Sequence, residues 1–131
     1  MAATLTQVRT ALRTTCDSIT TANRYRFMPK SPQFPAIVIG MPEEYDVRAD
    51  ESGGRTMTVP VWCGVEGRDD ESTEDEFMSL IESAVTALLA SQTLGAVVES
   101  FDVLPATNFS ASQTGDDRII LWGAIPCEVF A

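Results

Sequence analysis

Near the N-terminus, apolar side chains recur at intervals of three and four residues. The apolar positions are Leu5, Val8, Leu12, Cys16 and Ile19. This spacing puts them on one side of a helix and predicts an amphipathic helix over residues 4–20, with Arg9 and Arg13 off the apolar stripe. Three prolines between residues 29 and 35 then predict irregular structure.

A second helical pattern follows the acidic segment "GRDDESTEDE". Its apolar positions are Phe77, Leu80, Ile81, Ala84, Val85, Leu88 and Leu89. Thr73 and Glu76 have the spacing of a capping box, and the acidic residues beside them suit the positive end of a helix dipole. We therefore expect a helix that is capped by Thr73 and ends near Gly95. The segment lacks the alternating acids and central glycine of an EF-hand, which argues against a calcium loop.

Four segments have the length and pattern of β-strands. They are a short apolar run at 36–40, an alternating segment at 55–65, and two further segments at 97–104 and 118–130. The segment 55–65 is the clearest, because every second residue from Met57 to Val65 is apolar. The strands form two pairs, which we interpret as hairpins with long polar loops at 41–54 and 105–117.

The order of elements is therefore helix, hairpin, helix, hairpin. We predict an α+β fold of order α-β-β-α-β-β, with a mostly antiparallel four-stranded sheet and two helices packed on one face. The length of 131 residues and a hydrophobic content of 44% suit a single domain spanning 1–131. No apolar run approaches the ~20 residues that span a bilayer, so we expect a soluble protein without a membrane partner.

The sheet face away from the helices is predicted to be unusually apolar. If Met57 and Ile119 face the helices, the opposite face presents Trp62, Ile120, Trp122 and Phe130. A face left to water normally carries polar residues, so these large side chains require a cover. Two covers are open at this point: a neighbouring subunit, or the N-terminal helix or proline-rich segment of the same chain.

Charge is distributed unevenly along the chain. The net charge is −10, but the first 30 residues hold five cations against Asp17 alone, a local charge of +4 that leaves −14 for the other 101 residues. Such a chain is a poor nucleic-acid clamp. The asymmetry is typical of a solvated surface or of a head-to-tail contact between copies. Under the second interpretation, the subunit interface includes Arg9, Arg13, Arg24 and Arg26.

The residue types argue against an enzyme. The chain has no histidine, one lysine (Lys30) and three widely spaced cysteines without a CxxC motif. The commonest general base and metal ligand is therefore missing, and the cysteines are predicted to be buried free thiols of a protein made in a reducing cytoplasm. A ligand-binding domain that uses Glu99 and Asp102 is a further alternative, but neighbours at that spacing in a strand point to opposite faces.

One family combines these features. The proline-punctuated approach to "FPAIVIGMPEEYDV", the strand "RTMTVPVWCGV", the helix "DEFMSLIESAVTALLASQTLG" and the strands "VVESFDVLP" and "RIILWGAIPCEVF" follow one another in an order that resembles the tail terminator (tail completion) proteins of long-tailed bacteriophages. The resemblance covers essentially the whole chain but includes no catalytic motif. It implies a virion protein that assembles in the host cytoplasm, forms a homo-hexameric ring and needs no cofactor.

The resemblance also implies partners. Such a ring caps the tail tube, ends its polymerisation and joins the tail to the head-side connector, while DNA only passes through the channel. We expect the acidic segment 41–54 to be the docking or lumen element. Its candidate residues are Glu43, Glu44, Asp46, Asp50 and Glu51. The alternative virion role is that of another head–tail connector or neck protein, which also forms a ring but leaves tube length unchanged.

Overall fold

The computed structural model describes residues 3–47, 54–68, 71–91, 93–94, 97–113 and 118–131. Within these residues the chain forms two α-helices, a short 3₁₀-helix and seven strands. In chain order they are α1 (Leu5–Thr15), the 3₁₀-helix (Cys16–Ser18), β1 (Asn23–Tyr25), β2 (Ala36–Ile39), β3 (Glu44–Val47), β4 (Arg55–Arg68), α2 (Glu71–Leu89), β5 (Ser100–Val103), β6 (Thr107–Gln113) and β7 (Arg118–Phe130).

The first helix confirms its predicted apolar stripe. Val8, Leu12 and Cys16 are fully buried. A capping box begins the helix, because the Thr4 hydroxyl accepts a hydrogen bond from the Gln7 amide while the Gln7 side chain accepts one from the Thr4 amide. The α-helix ends at Thr15, earlier than predicted, since the chain tightens into the 3₁₀-helix from Cys16.

The second helix begins at Glu71, two residues before the predicted cap. The prediction that Thr73 caps the helix is wrong, because Thr73 lies within the first turn and is buried. Its side chain occupies the place where a Cβ on Gly67 would lie, so the threonine packs the helix start against the end of β4. Glu71 and Glu74 still place negative charge in the first turn, as the dipole argument expects.

Two long antiparallel strands, β4 and β7, form the centre of the sheet and pair from Thr56–Phe130 to Arg68–Arg118. β2 and β3 both pair with the outer edge of β4, and β5 and β6 both pair with the outer edge of β7. β1 lies parallel beside β2 and makes the sheet mixed. The α+β class is confirmed, but the four-stranded sheet and its element order are wrong.

Two of the three additional strands, β3 and β6, come from the predicted loops. Within 41–54, β3 pairs with β4, and within 105–117, β6 pairs with β7. The central strands are longer than β2 and β5, so their remaining backbone groups are free to pair with further segments. Alternation of polar and apolar residues does not mark β6, because all seven of its residues are exposed.

The core lies between the helices and one face of the sheet. Alternate residues of β4, from Met57 to Val65, are fully buried there, as the period-two pattern predicts. The buried side chains of α1 and α2 join the same cluster, so both helices pack on this face. The cluster also takes Ile125, Cys127 and Val129 from β7.

The three cysteines are free and buried, which confirms the prediction from their spacing. Burial raises the pKa of Cys16 to about 11 and the pKa of Cys63 and Cys127 to about 12. The thiols therefore stay protonated and unreactive in the folded chain at neutral pH. Among the described residues, neither helix is long and apolar enough to cross a membrane.

Candidate assembly surfaces

The second sheet face, which is the face away from the helices, carries all four predicted interface residues of the strands. In the register of β4 and β7, Trp62 lies opposite Ala124, and Trp122 lies opposite Gly64. Ile120 and Phe130 follow the same alternation. The four side chains are half-buried. Their role in a subunit interface stays a prediction.

The proline-rich segment covers part of the second sheet face. The ring of Phe34 packs edge-on against Trp122, with 5.6 Å between ring centroids. Trp122 in turn lies flat over Gly64, so close that a Cβ there would approach the indole to 2.6 Å. Gly40 makes similar room for Trp62. The chain therefore supplies some of the cover itself, which was one of the two alternatives for this face.

One end of the second sheet face is acidic. Glu44 of β3 pairs with Thr58, Thr58 with Glu128 of β7, and Glu128 with Asp102 of β5. The next row of the same face begins with Asp46. Like charges opposite one another on adjacent strands destabilise a sheet, so this acidic end costs folding energy.

The structure describes only some of the predicted docking residues. Glu44 and Asp46 lie on β3, and the Glu43 amide donates to the Thr58 carbonyl at 2.8 Å, so this part of the segment is a paired strand instead of a loop. The expectation that these residues form a loop is wrong for that reason. Asp50 and Glu51 lie outside the described residues.

The four predicted interface arginines lie together near the β1 edge, on the helix side of the sheet. Arg9 and Arg13 lie on α1, and Arg24 and Arg26 lie on or directly after β1. Because Arg24 is in register with the core-facing Ile37, the β1 arginines point to the helix side. We call these four residues the arginine cluster.

Two members of the arginine cluster hold the fold together. The Arg9 guanidinium donates to the carbonyls of Arg26 at 2.6 Å and of Ile39 at 3.1 Å, which ties α1 to β1 and β2. Arg24 donates to the Ile19 carbonyl at 2.6 Å and forms an ion pair with Asp17 at 3.2 Å. The guanidinium groups of Arg9 and Arg24 therefore bind mainly to groups of the same chain.

The other two members are exposed. Arg26 donates to the Thr10 hydroxyl at 3.1 Å, and Arg13 reaches the Arg24 carbonyl only at 3.5 Å. Together with Thr10 and Phe27, they line a surface hollow of about 410 Å³. Arg13 and Arg26 are thus the members whose charge is accessible to solvent.

Sequence reasoning missed two parts of these surfaces. It left Asp102 and Glu128 unconnected and assigned β6 to a loop. The carboxylates meet only through the register of β3, β4, β7 and β5, which the sequence does not specify. The neutral composition of β6, which has neither proline nor charge, was the one available signal that 107–113 is a strand.

The described residues contain no group of three histidine, cysteine or acidic side chains that suits a metal ion. A groove of about 830 Å³ runs along α1, but its lining is uncharged and consists mainly of threonine, alanine and aliphatic side chains. Asp102 faces away from the helices, in register with Glu128, and Glu99 precedes the strand.

Comparison with known proteins adds a weak structural likeness. No protein-family model and no curated protein sequence matches the chain. One chain of a structure described as "Virion of native gene transfer agent (GTA) particle" is similar over 95% of each chain, with a TM-score of 0.42 and 10% sequence identity. A likeness of this degree assigns neither a fold family nor a function.

Proposed function

We propose that the chain is a structural protein of a phage-type virion, and specifically a tail terminator. Six copies form a ring that caps the head-proximal end of the tail tube, stops tube growth and presents a surface to the head-side connector. The chain is not an enzyme in this proposal and needs no cofactor. The proposal combines the sequence resemblance with the surfaces described above.

The observation that carries the proposal is the second sheet face. Both described helices pack on the other face, so neither of them covers the row of Glu44, Glu128 and Asp102. Repulsion among adjacent carboxylates costs stability, and such a cost suggests a functional reason to keep them. A face of this kind suits the wall of a channel.

An acidic channel wall fits the passage of DNA. Six copies carry a formal charge of −60, six times the −10 of one chain. Carboxylates repel the phosphates of DNA, so a lumen lined by the acidic end lets DNA slide without being held. The channel would thus be a place of transit, and DNA would not be a ligand.

The oligomeric state provides the first test. The purified chain is measured by native mass spectrometry and analytical ultracentrifugation over a wide concentration range, with and without Mg²⁺, and imaged by negative stain. We expect six-membered rings, either free or formed when tail tubes are added. A stable dimer under all of these conditions contradicts the proposal.

Tail length separates a terminator from another neck protein. The tube protein of the same virion is polymerised with and without the chain, and tube lengths are measured by electron microscopy. A terminator ends growth, so tubes are short and capped when the chain is present. A ring that binds the connector while tube length stays unchanged supports the alternative role as a neck protein.

A further inference from the structure

β1 and β6 are open edges on opposite sides of the sheet and lie at the same level. β1 pairs with β2, and the residues of β2 that it contacts pair in turn with Trp62–Gly64 of β4. β6 pairs with Ile119–Ala124 of β7; its residues Thr107 and Ser110 lie opposite Ala124 and Trp122, at the level of β1, and Ala111–Gln113 extend beyond that level. Within the described residues, neither strand pairs with a further strand on its outer edge. The Arg24 carbonyl of β1 already meets Arg13 at 3.5 Å and the Arg26 carbonyl after it accepts from Arg9, so β1 offers fewer free backbone groups to another chain than β6 does.

The two strands also run in opposite directions. β1 is parallel to β2, both β2 and β7 are antiparallel to β4, and β6 is antiparallel to β7. When two copies stand side by side in the same orientation, β6 of one copy meets β1 of the next as an antiparallel neighbour. Antiparallel pairing is thus available without inverting either copy.

β6 lacks the features that normally protect an edge strand. All seven of its residues are exposed, and it contains neither a charged residue nor proline. Natural edge strands commonly use charges, proline or short length to prevent pairing with other chains. The bulge near Asn108 bends only the first part of the strand and leaves Ser110–Gln113 in regular register.

The helix side of the β6 edge is acidic and apolar. Phe109 is 55% exposed and packs against Phe77 of α2, with 6.0 Å between ring centroids. The flank of α2 that faces the proline-rich segment is marked by Glu76 and Leu80, which line a hollow with Pro35. At 100° per residue, the opposite flank carries exposed residues that face the β6 side. These residues are Glu71, Glu74 and Met78.

The helix side of the β1 edge is complementary. It carries the exposed guanidinium groups of Arg13 and Arg26 from the arginine cluster. Phe27 and Met28, which follow Arg26, are 61% and 54% exposed. One edge thus combines two carboxylates with two exposed apolar side chains, and the opposite edge combines two cations with two exposed apolar side chains.

We propose that the β6 edge of one copy binds the β1 edge of a second copy, head to tail. β6 pairs with β1, while Glu71 and Glu74 of α2 meet Arg13 and Arg26 across the contact. The inference deepens the proposed function, on which it rests for the ring, by naming the subunit contact. It places the second sheet face, with its acidic end, on one side of a continuous sheet.

The other end of the sheet is unsuited to the same contact. β3 and β5 are also open edges at one level on opposite sides. Both carry carboxylates, with Asp46 on β3 and Asp102 on β5, so pairing these edges would bring like charges together. The complementary contact is therefore confined to the level of β1 and β6.

Charge reversal tests the contact. One variant combines Arg13→Glu with Arg26→Glu, and the other combines Glu71→Arg with Glu74→Arg. Each alone brings like charges together, so we expect roughly 100-fold weaker association, measured by analytical ultracentrifugation. An equimolar mixture of the two variants restores complementary contacts in alternating copies and should recover the assembly. Circular dichroism establishes that each variant is folded.

A matched control carries the same change of charge elsewhere on α2. Glu76→Arg with Glu82→Arg alters the helix on residues that line the hollows beside the proline-rich segment and the 3₁₀-helix. We expect this variant to associate as the wild type does. If it fails as strongly as the Glu71/Glu74 variant, the effect is one of net charge and the proposed contact is wrong.

Cross-linking tests the strand pairing directly. Asn23→Cys and Ser110→Cys lie on opposite sides of five strands, roughly 19 Å apart within one copy. A short bismaleimide can therefore join them only between copies, and the buried native thiols stay unreactive. We expect a ladder of linked chains from the double variant, with Ser112→Cys in place of Ser110→Cys as an alternative register.

The outcomes separate this inference from the proposed function. Rings that survive both reversals without cross-links overturn the contact and leave the terminator proposal standing. A chain that stays monomeric up to ~1 mM also overturns the contact, although a ring formed only on the tube remains possible for the proposed function. Cross-linked assemblies that are not hexamers support the contact and contradict the hexameric ring.

Discussion

Gly64 shows how a single residue shapes the second sheet face. Trp122 lies on it so closely that no side chain fits between the indole and the backbone. The indole is therefore held flat against the sheet, where Phe34 meets its edge. This contact explains how an aromatic residue on the open face stays half-buried in a single copy.

Gly64→Ala is predicted to destabilise the fold by about 1–3 kcal/mol, because the new methyl group overlaps the Trp122 ring. The free energy of unfolding is measured by urea denaturation. In a Trp122→Ala background, the same substitution should be neutral or slightly stabilising, since alanine lowers the conformational entropy of the unfolded chain relative to glycine. An equal loss in both backgrounds would show that the ring is not the cause.

The buried thiols predict a pH dependence at alkaline pH. Burial raises the pKa of Cys63 and Cys127 from 9.0 to about 12, so the folded chain keeps protons that the unfolded chain releases. The stabilising contribution is complete below pH 9 and is lost as the pH rises from about 9 to about 12. Each thiol can contribute at most about 1.4 kcal/mol per pH unit.

Denaturation curves between pH 8 and pH 11 check this expectation, and a Cys63→Ala variant should show a shallower loss than the wild type. A thiol reagent at pH 8 should modify none of the cysteines until urea unfolds the chain. Rapid modification of the folded protein would contradict the burial on which the argument rests.

At the scale of elements, the sequence identifies those helices and strands that have one buried and one exposed face. Val8 and Leu12 mark α1, and the alternation from Met57 to Val65 marks β4, because burial on one side imposes a period on the sequence. β6 lacks that period, and in β3 the alternation covers only the four residues Glu44–Val47. Their pairing depends on open backbone groups of β4 and β7, which only the assembled sheet provides.

The docking of α1 depends on Arg9 more than on its neighbours. Arg9→Ala removes two hydrogen bonds to carbonyls of β1 and β2 and is predicted to cost about 1.5–3 kcal/mol of unfolding free energy. Arg13→Ala removes only a 3.5 Å contact at the surface and should cost less than about 0.5 kcal/mol. Urea denaturation of the two variants makes the comparison.

The expected difference is informative because both changes remove one positive charge from the same helix. A similar loss for the two variants would mean that charge, and not the bridge to the carbonyls, fixes α1. Arg13→Ala should instead weaken association between copies, which ultracentrifugation measures at the same concentrations as for the wild type.

At the scale of the whole molecule, the sequence predicts the sign of each charged region but not its position. The basic N-terminal segment and the acidic remainder are visible in composition alone. Only the sheet order puts the arginine cluster on one side and brings Glu44, Glu128 and Asp102 into one row. The candidate surfaces are therefore products of long-range pairing, which local patterns do not encode.

Under the proposed function, the acidic end lowers stability in return for DNA transit, and Asp102→Lys separates the two effects. Lysine at this position pairs with Glu128 directly across the strands, so we predict a gain of about 0.2–1 kcal/mol in unfolding free energy. In a virion, the same lysine would add a positive charge to the channel wall and slow the passage of DNA. Urea denaturation and the rate of genome release from assembled particles measure the two effects.

Glu82→Lys is the matched control, because it makes the same change of charge on the exposed side of α2, away from the second sheet face. It should alter genome release little. A stabilised Asp102→Lys chain whose particles release DNA at the normal rate would remove the acidic end from the channel. A slower release together with higher stability is the combination expected when carboxylates are kept for DNA transit at the expense of the fold.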